Sequence, residues 1–360
     1  MTLFELIGRR ALFTLDAETA HGLSIAALKC GMPLGAGIAP DQRLKTRVAG
    51  IDFPNPLGLA AGYDKNVEDP DALLALGYGF AEIGTVTPLP QAGNPKPRIF
   101  RLTKDEAVVN RLGFNNQGHE AVEGRLATRA GRPGIVGVNI GANKDSADRI
   151  ADYEAGVARF AAHASYLTVN ISSPNTPGLR AMQARDSLAE LLARVVAARC
   201  AAIAGTGRTV PLFLKIAPDL DDSELADIGG QVLEHAIEGV IVSNTTISRT
   251  GLKSQTAETG GLSGKPLFQR STIVLARMRR LLGPKIAVVG VGGVDSAETA
   301  LEKIRAGADL IQFYTGLIYG GPALPARILQ GMSRLVREEG ASNVADLRDS
   351  RLDFWAGKSL

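Results

Sequence analysis

Two asparagines, two serines and an arginine crowd the stretch Asn170-Ile171-Ser172-Ser173-Pro174-Asn175-Thr176-Pro177-Gly178-Leu179-Arg180. Amide side chains can pair with the carbonyl and NH edges of a flat ligand, and a hydroxyl among them can take up a proton if its surroundings assist. The stretch follows Tyr166-Leu167-Thr168-Val169, an apolar, β-branched run of strand type, and two prolines break it at once. Packing does not call for such a cluster at the end of a core strand. The plain alternative is a Ser/Asn/Pro turn. Ligands of parallel α/β folds gather at the carboxyl ends of strands, so the cluster reads as a site.

The elements that must position it follow a rhythm. Strand-type runs occur at 57–61, 80–86, 135–140, 166–171, 212–216, 240–243, 286–289 and 310–314, with helical stretches such as 189–204, 223–234, 271–282 and 297–306 between them. Eight strands alternating with helices imply a (β/α)8 barrel. A doubly wound sheet fits less well, because no Gly-x-Gly-x-x-Gly follows the first strand. The long connection 87–132, rich in Pro, Gly, Asn and Arg, suggests a lid. Each expected strand ends in glycine or polar residues, from Ala61-Gly62-Tyr63-Asp64-Lys65 at the first to Tyr314-Thr315-Gly316 at the eighth. A barrel built for stability alone has no use for Lys65, Lys215 and several asparagines on one rim.

Gly290-Val291-Gly292-Gly293, with Asp295-Ser296 opening the next helix, lets backbone amides approach an anion. With Tyr314-Thr315-Gly316 beside it, this matches the usual phosphate position of barrels, after strands seven and eight. The four histidines (His21, His119, His163, His235) lack metal-ligand spacing, so no metal is expected; His163 and His235 fall on helical stretches as packing or surface residues. No Gly-x-Ser-x-Gly elbow exists, which speaks against Ser173 as a hydrolase nucleophile. A net charge of +3 with no basic block argues against nucleic acid. Cys30 and Cys200, far apart in sequence, read as buried thiols of a reducing compartment.

Residues 1–40 differ from the rest. Leu3, Phe4, Leu6, Ile7, Leu12 and Phe13 form an amphipathic pattern carrying Arg9 and Arg10. Asp16 should cap a second helix to about Lys29, with Leu23, Ala27 and Leu28 on one face, ended by Gly31-Met32-Pro33-Leu34-Gly35. Such a hairpin can lie at a membrane interface or pack on the main domain. No run approaches the roughly 18 apolar residues of a spanning helix. The expected organisation is a helical hairpin at 1–40, a barrel at 41–340 and a tail at 341–360 that carries Trp355 and has no assigned role.

The segments Asn55 to Lys65, Glu82 to Pro88, Asn110 to Asn116, Val138 to Gly141, Asn170 to Arg180, Lys215 to Asp219, Asn244 to Thr246, Gly260 to Gly264 and Gly290 to Gly293 resemble the membrane-associated, quinone-linked class of dihydroorotate dehydrogenases. The resemblance implies an FMN barrel that oxidises dihydroorotate to orotate in pyrimidine synthesis and delivers the electrons to a quinone. It makes Ser173 the catalytic base, where the soluble class carries Cys. It assigns FMN to Ala61, Gly62, Tyr63, Asp64, Lys65, Thr85, Asn139, Asn170, Lys215, Ser243, Gly264, Gly293, Tyr314 and Thr315. Substrate falls to Lys65, Asn110, Arg111, Leu112, Gly113, Phe114, Asn170, Asn175, Asn244 and Thr245, and the quinone pocket to His21 and Arg101, near Tyr314. It further implies a monomer held peripherally on the cytoplasmic side of the cell membrane by the hairpin.

A serine hydroxyl is a weak base, so Ser173 needs help; burial under the lid and a hydrogen bond to Thr176 or to water are the two candidates. Rival readings are a soluble fumarate- or NAD-linked relative, a non-redox phosphate-binding barrel using Lys215 as a Schiff-base amine, and a peripheral membrane binding module without activity.

Overall fold

The computed structural model describes residues 3–32 and 39–360, with side chains from Gly8 onward in the first helix. The side chains of Leu3, Phe4, Leu6 and Ile7, and the helix stop at Pro33-Leu34-Gly35, thus lie outside what is described. In chain order the strands are β1 Thr46–Val48, β2 Ile51–Phe53, β3 Leu57–Leu59, β4 Phe80–Val86, β5 Ile99–Leu102, β6 Ala107–Asn110, β7 Ile135–Ile140, β8 Tyr166–Asn170, β9 Leu212–Ile216, β10 Gly239–Val242, β11 Gly261–Gly264, β12 Ala287–Val291 and β13 Leu310–Phe313. The helices are α1 Leu3–Thr14, α2 Ala17–Lys29, α3 Pro70–Ala75, α4 Gly118–Thr128, α5 Arg149–Phe160, α6 Arg185–Ile203, α7 Asp222–Glu234, α8 Phe268–Leu282, α9 Ala297–Arg305, α10 Thr315–Gly320, α11 Leu324–Glu338 and α12 Leu352–Ala356.

Eight parallel strands close in the order β10-β12-β13-β3-β4-β7-β8-β9. These are the eight runs read from sequence, three with the same bounds and five shifted at their ends by one or two residues, and the fold is a (β/α)8 barrel. Inside, the lower half is filled by rings: Phe53 meets Phe80 edge-on at 5.2 Å, and Tyr166 stacks on Phe213 at 5.0 Å. Glycine makes room for them. A Cβ on Gly137 would lie 2.1 Å from the Tyr166 ring, so any side chain there would push the ring out. The aromatic plug leaves space only at the carboxyl ends of the strands.

The 87–132 connection is more ordered than a loop-like lid. Strands β5 and β6 pair antiparallel, and β11, from the segment after β10, joins β6 with Gly261 opposite Asn110. Leu102, Ala107, Val109 and Leu262 give this small sheet its own core, and α4 completes the connection. The alternation in β5 and β6 was hidden by surrounding Pro, Gly and Arg.

Asp16 caps α2, accepting from the Thr19 amide at 2.8 Å. Leu28 is buried, but Leu23 is 49% exposed, so the expected apolar face splits between core and surface. Cys30 and Cys200 are both exposed, contrary to the buried-thiol expectation, because each sits near the outward end of a surface helix. His163 and His235 fall just past the ends of α5 and α7 rather than within them. The 341–360 segment packs against the barrel: Trp355 is buried against Phe268 of α8 and donates from Nε1 to Glu302 at 2.5 Å.

Candidate active site

A cavity of about 390 Å³ opens at the carboxyl ends of the barrel strands, under the β5-β6-β11 sheet. Its floor is built by a chain of buried polar groups. Glu82, a lone acid in the apolar β4, accepts from Asn139 Nδ2 (2.7 Å), Tyr166 Oη (3.1 Å) and Gln312 Nε2 (2.8 Å). With that amide nitrogen committed, Asn139 Oδ1 accepts from Thr85 Oγ1 (2.6 Å) and Asn170 Nδ2 (3.0 Å). Asn170 Oδ1 then takes the Ser172 hydroxyl at 2.7 Å, and Ser172 Oγ accepts from Asn244 Nδ2 at 2.9 Å. Polarity thus runs in one direction from an acceptor-only group, which fixes how each amide faces the cavity.

Ser173 lines the cavity, is 5% exposed, and its Oγ accepts the Asn175 amide N–H at 3.2 Å. That donor favours a negatively charged oxygen. The side chain of Thr176, the partner named from sequence, is buried but makes no hydrogen bond to Ser173. Asn175 Nδ2 reaches Asn110 Oδ1 at 3.3 Å, joining the loop after β8 to the lid sheet. Arg180 clamps the same loop from below, donating to the carbonyls of Ser172 (3.0 Å) and Thr245 (2.9 Å) and to Asp219 (2.9 Å).

Two lysines enter from opposite sides. Lys65 donates to the Gly62 carbonyl at 2.7 Å, and burial pulls its amine down to about 8. Lys215 is buried and lowered by the same cause, partly offset by Glu82, and its Nζ faces the cavity with no acceptor among the described residues. A buried amine aimed into empty space fits an electron-rich ligand edge.

At the far end, the amides of Gly292, Gly293, Thr315 and Gly316 donate to no acceptor among the described residues. Gly293 has φ +74° and packs so closely on Phe268 that a Cβ would lie 2.4 Å from its Cβ. These free donors suit a phosphate. Lysine amine, amide floor and amide-rich anion end together match the needs of a flavin mononucleotide.

Most residues proposed from sequence meet here. Ala61, Gly62, Lys65, Thr85, Asn170, Lys215, Ser243, Gly264, Gly293, Tyr314 and Thr315 line the cavity. So do Asn110, Leu112, Gly113, Phe114, Ser173, Asn175, Asn244 and Thr245. Four do not. Tyr63 turns away to Ser24 (2.8 Å), and Asp64 is used up accepting from the amides of Asn66, Glu68 and Asp69. Asn139 lies one layer beneath, and Arg111 faces outward, paired with Glu258 at 2.6 Å over the Phe100 ring. Sequence reasoning assigned no role to Glu82 or Arg180; a single acid in an otherwise apolar strand was the signal for the first.

An apolar arm of the cavity, with Ile99, Ile318, Tyr319 and Leu324, points toward the hairpin. Tyr319 meets Phe13 at 5.6 Å, and Arg9 donates to its carbonyl at 2.6 Å. Arg101 donates to the Leu12 carbonyl (3.2 Å) and lies over the Phe13 ring (4.8 Å). His21 sits 3.3 Å from the Tyr314 hydroxyl, and burial plus the nearby Lys65 charge push its imidazole down to about 3. It is neutral at physiological pH.

The sequence profile of the family described as dihydroorotate dehydrogenase matches residues 43–336. The chain belongs to the dihydroorotate dehydrogenase family. A dihydroorotate dehydrogenase (quinone) of Mesorhizobium japonicum is 69% identical over 362 residues, covering 100% of both chains. That of Rhizobium leguminosarum bv. trifolii is 63% identical over 359 residues, 99% of each. The solved ligand-free DHODH of Eimeria tenella superposes with a TM-score of 0.88 at 40% identity, covering 93% of this chain and 99% of that one. Dihydroorotate dehydrogenases are flavin enzymes, and the cavity described above is of the size and chemistry such a cofactor requires.

Proposed function

We propose that this chain oxidises (S)-dihydroorotate to orotate in pyrimidine biosynthesis, with FMN as its flavin and a quinone as final electron acceptor. The observation that carries the reading is the convergence of Ser173, the amide floor and Lys215 on one cavity whose far end offers free backbone amides. When bound, FMN supplies the hydride-accepting chemistry and passes the electrons onward. The remaining work belongs to the protein.

Ser173 removes the C5 proton of dihydroorotate. It does so as the alkoxide, its own proton having passed to water before the lid closes; the Asn175 N–H stabilises that charged oxygen until it takes the substrate proton and is neutral again. Asn110, Asn170, Asn175 and Asn244 pair with the carbonyl and NH edges of the ring, and Thr245 sits beside them. Lys65 neutralises the carboxylate, while Gly113 and Phe114 close the wall. Lys215 would hold the flavin edge where negative charge collects, Thr85 and Ser243 would border the ring system, and Gly293, Tyr314 and Thr315 would cradle the phosphate.

The apolar arm toward α1 and α2 supports quinone entry there, with His21 one contact behind it on Tyr314 and Arg101 on Leu12 and Phe13. Membrane association is of the peripheral kind: among the described residues no helix is long and apolar enough to cross a bilayer. Leu15, Leu23 and Met32 are exposed on the hairpin, which also carries the exposed Arg10, a combination suited to lying on an anionic surface. We place this contact on the cytoplasmic side and the chain as a monomer, divided into the hairpin, the barrel and the 341–360 buttress.

The purified protein should be yellow. Anaerobic dihydroorotate should bleach it, and a short-chain quinone should restore the colour, whereas fumarate and NAD should not. Deleting residues 1–40 should abolish reoxidation by quinone, while dihydroorotate still bleaches the flavin, though more slowly than in the full chain. A colourless protein, or reoxidation by fumarate or NAD instead, contradicts the reading.

A further inference from the structure

One buried guanidinium joins the hairpin to the substrate loops. Arg98, 6% exposed, grips both carboxyl oxygens of Glu18 in α2, through Nε at 3.1 Å and Nη2 at 2.6 Å. Its remaining fork atom, Nη1, donates to the carbonyls of Ala92 (2.6 Å) and Asn94 (2.8 Å). Asn94 passes the constraint on: its Nδ2 donates to the carbonyls of Arg111 (3.0 Å) and Asn175 (3.2 Å). Asn175 is the residue whose N–H meets Ser173 Oγ. A continuous line of short contacts therefore runs from the second hairpin helix to the proton-abstracting hydroxyl.

Anchoring the hairpin does not require this arrangement. Lys29–Glu68 (2.8 Å), Ser24–Tyr63 (2.8 Å) and Arg9 on the Tyr319 carbonyl already tie it to the barrel. The Glu18–Arg98 pair differs from them in being two-pronged, buried on the Arg98 side and continuous with the active-site loop; on its open side the carboxylate, 18% exposed, also meets Lys96 at 3.4 Å. Removing the carboxylate leaves a buried cation without its counter-charge, and such a side chain rearranges toward water. The carbonyls of residues 92 and 94 then lose the donor that orders them.

We propose that Glu18 and Arg98 form a latch through which docking of the hairpin orders the loop carrying Ser173 and Asn175, so that the two halves of the catalytic cycle are coupled. The inference rests on the function proposed above. Glu18 and Arg98 are positioning residues, acting through Asn94. The coupling is reciprocal: whatever orders the substrate loop also strengthens hairpin docking by the same factor.

The test uses the full-length flavin-loaded protein and orotate as the probe. Orotate affinity is read from the change in flavin absorbance, bleaching by dihydroorotate is followed anaerobically, and hydrogen exchange is measured over 17–29. Glu18→Gln should retain the flavin, bind orotate about tenfold more weakly and bleach more slowly. Orotate should protect the α2 amides in the native protein and not in the variant. Lys29→Ala, which cuts the exposed hairpin contact, should bind orotate as the native protein does. Arg98→Lys, which keeps the charge without the fork, should also weaken orotate and covers the case in which Glu18→Gln does not fold. Native orotate affinity in either latch variant, even with quinone turnover lost, overturns the proposal. A native protein that dihydroorotate does not bleach would instead contradict the functional reading.

Discussion

Lys65 is the residue at which charge, burial and ligand chemistry meet. Because burial lowers its amine to about 8, the free site loses the ammonium within reach of ordinary buffers. An anionic ligand prefers the protonated form, so orotate affinity should be flat below pH 8 and fall above it, approaching about tenfold per pH unit. Lys65→Met should bind weakly and without that slope; a native titration flat to pH 9.5 would count against Lys65 as the carboxylate partner. The stability effect has the opposite sense. The folded-state pKa is depressed, so the buried lysine costs stability below pH 8, and that cost is relieved as pH rises from 8 toward 10.5. Residue type was enough to find Ser173, the asparagines and both lysines, since such groups have no packing reason to cluster. Direction was not legible. Tyr63 and Asp64 share a strand end with Gly62 and Lys65, and only the turn geometry shows that they face Ser24 and the backbone amides of 66–69 instead.

Strands and helices were readable where their periodicity was undisturbed. The eight barrel runs and the Asp16-capped helix stand out because apolar pattern and caps agree. Strands β5, β6 and β11 did not, being four residues each; β5 and β6 form a short hairpin inside a Pro- and Gly-rich stretch, and β11 joins β6 only across about 150 positions. The tail was equally silent. Its role follows from contact: Trp355 packs on Phe268, and Phe268 packs on Gly293 at the phosphate end. Trp355→Ala should destabilise the fold by roughly 3–5 kcal/mol. It should also release flavin during gel filtration at temperatures where the native protein keeps it. Unchanged melting and flavin retention would show that α8 stands without this support.

Across the whole molecule, one end of the barrel is closed by aromatic rings and the other left open, with a floor of oriented amides between them. The hairpin packs beside that open end, and the long lid connection carries contacts from one to the other. On the function proposed above, substrate and quinone would approach this single cavity from different sides and share the flavin held between them. The claim on which the rest stands is that the Ser173 hydroxyl abstracts the proton at this cavity. Stopped-flow bleaching of the flavin by dihydroorotate in Ser173→Ala tests it most directly: the variant should keep its flavin and its orotate affinity within about threefold while the bleaching rate falls by about a hundredfold or more. Bleaching at the native rate would contradict the account.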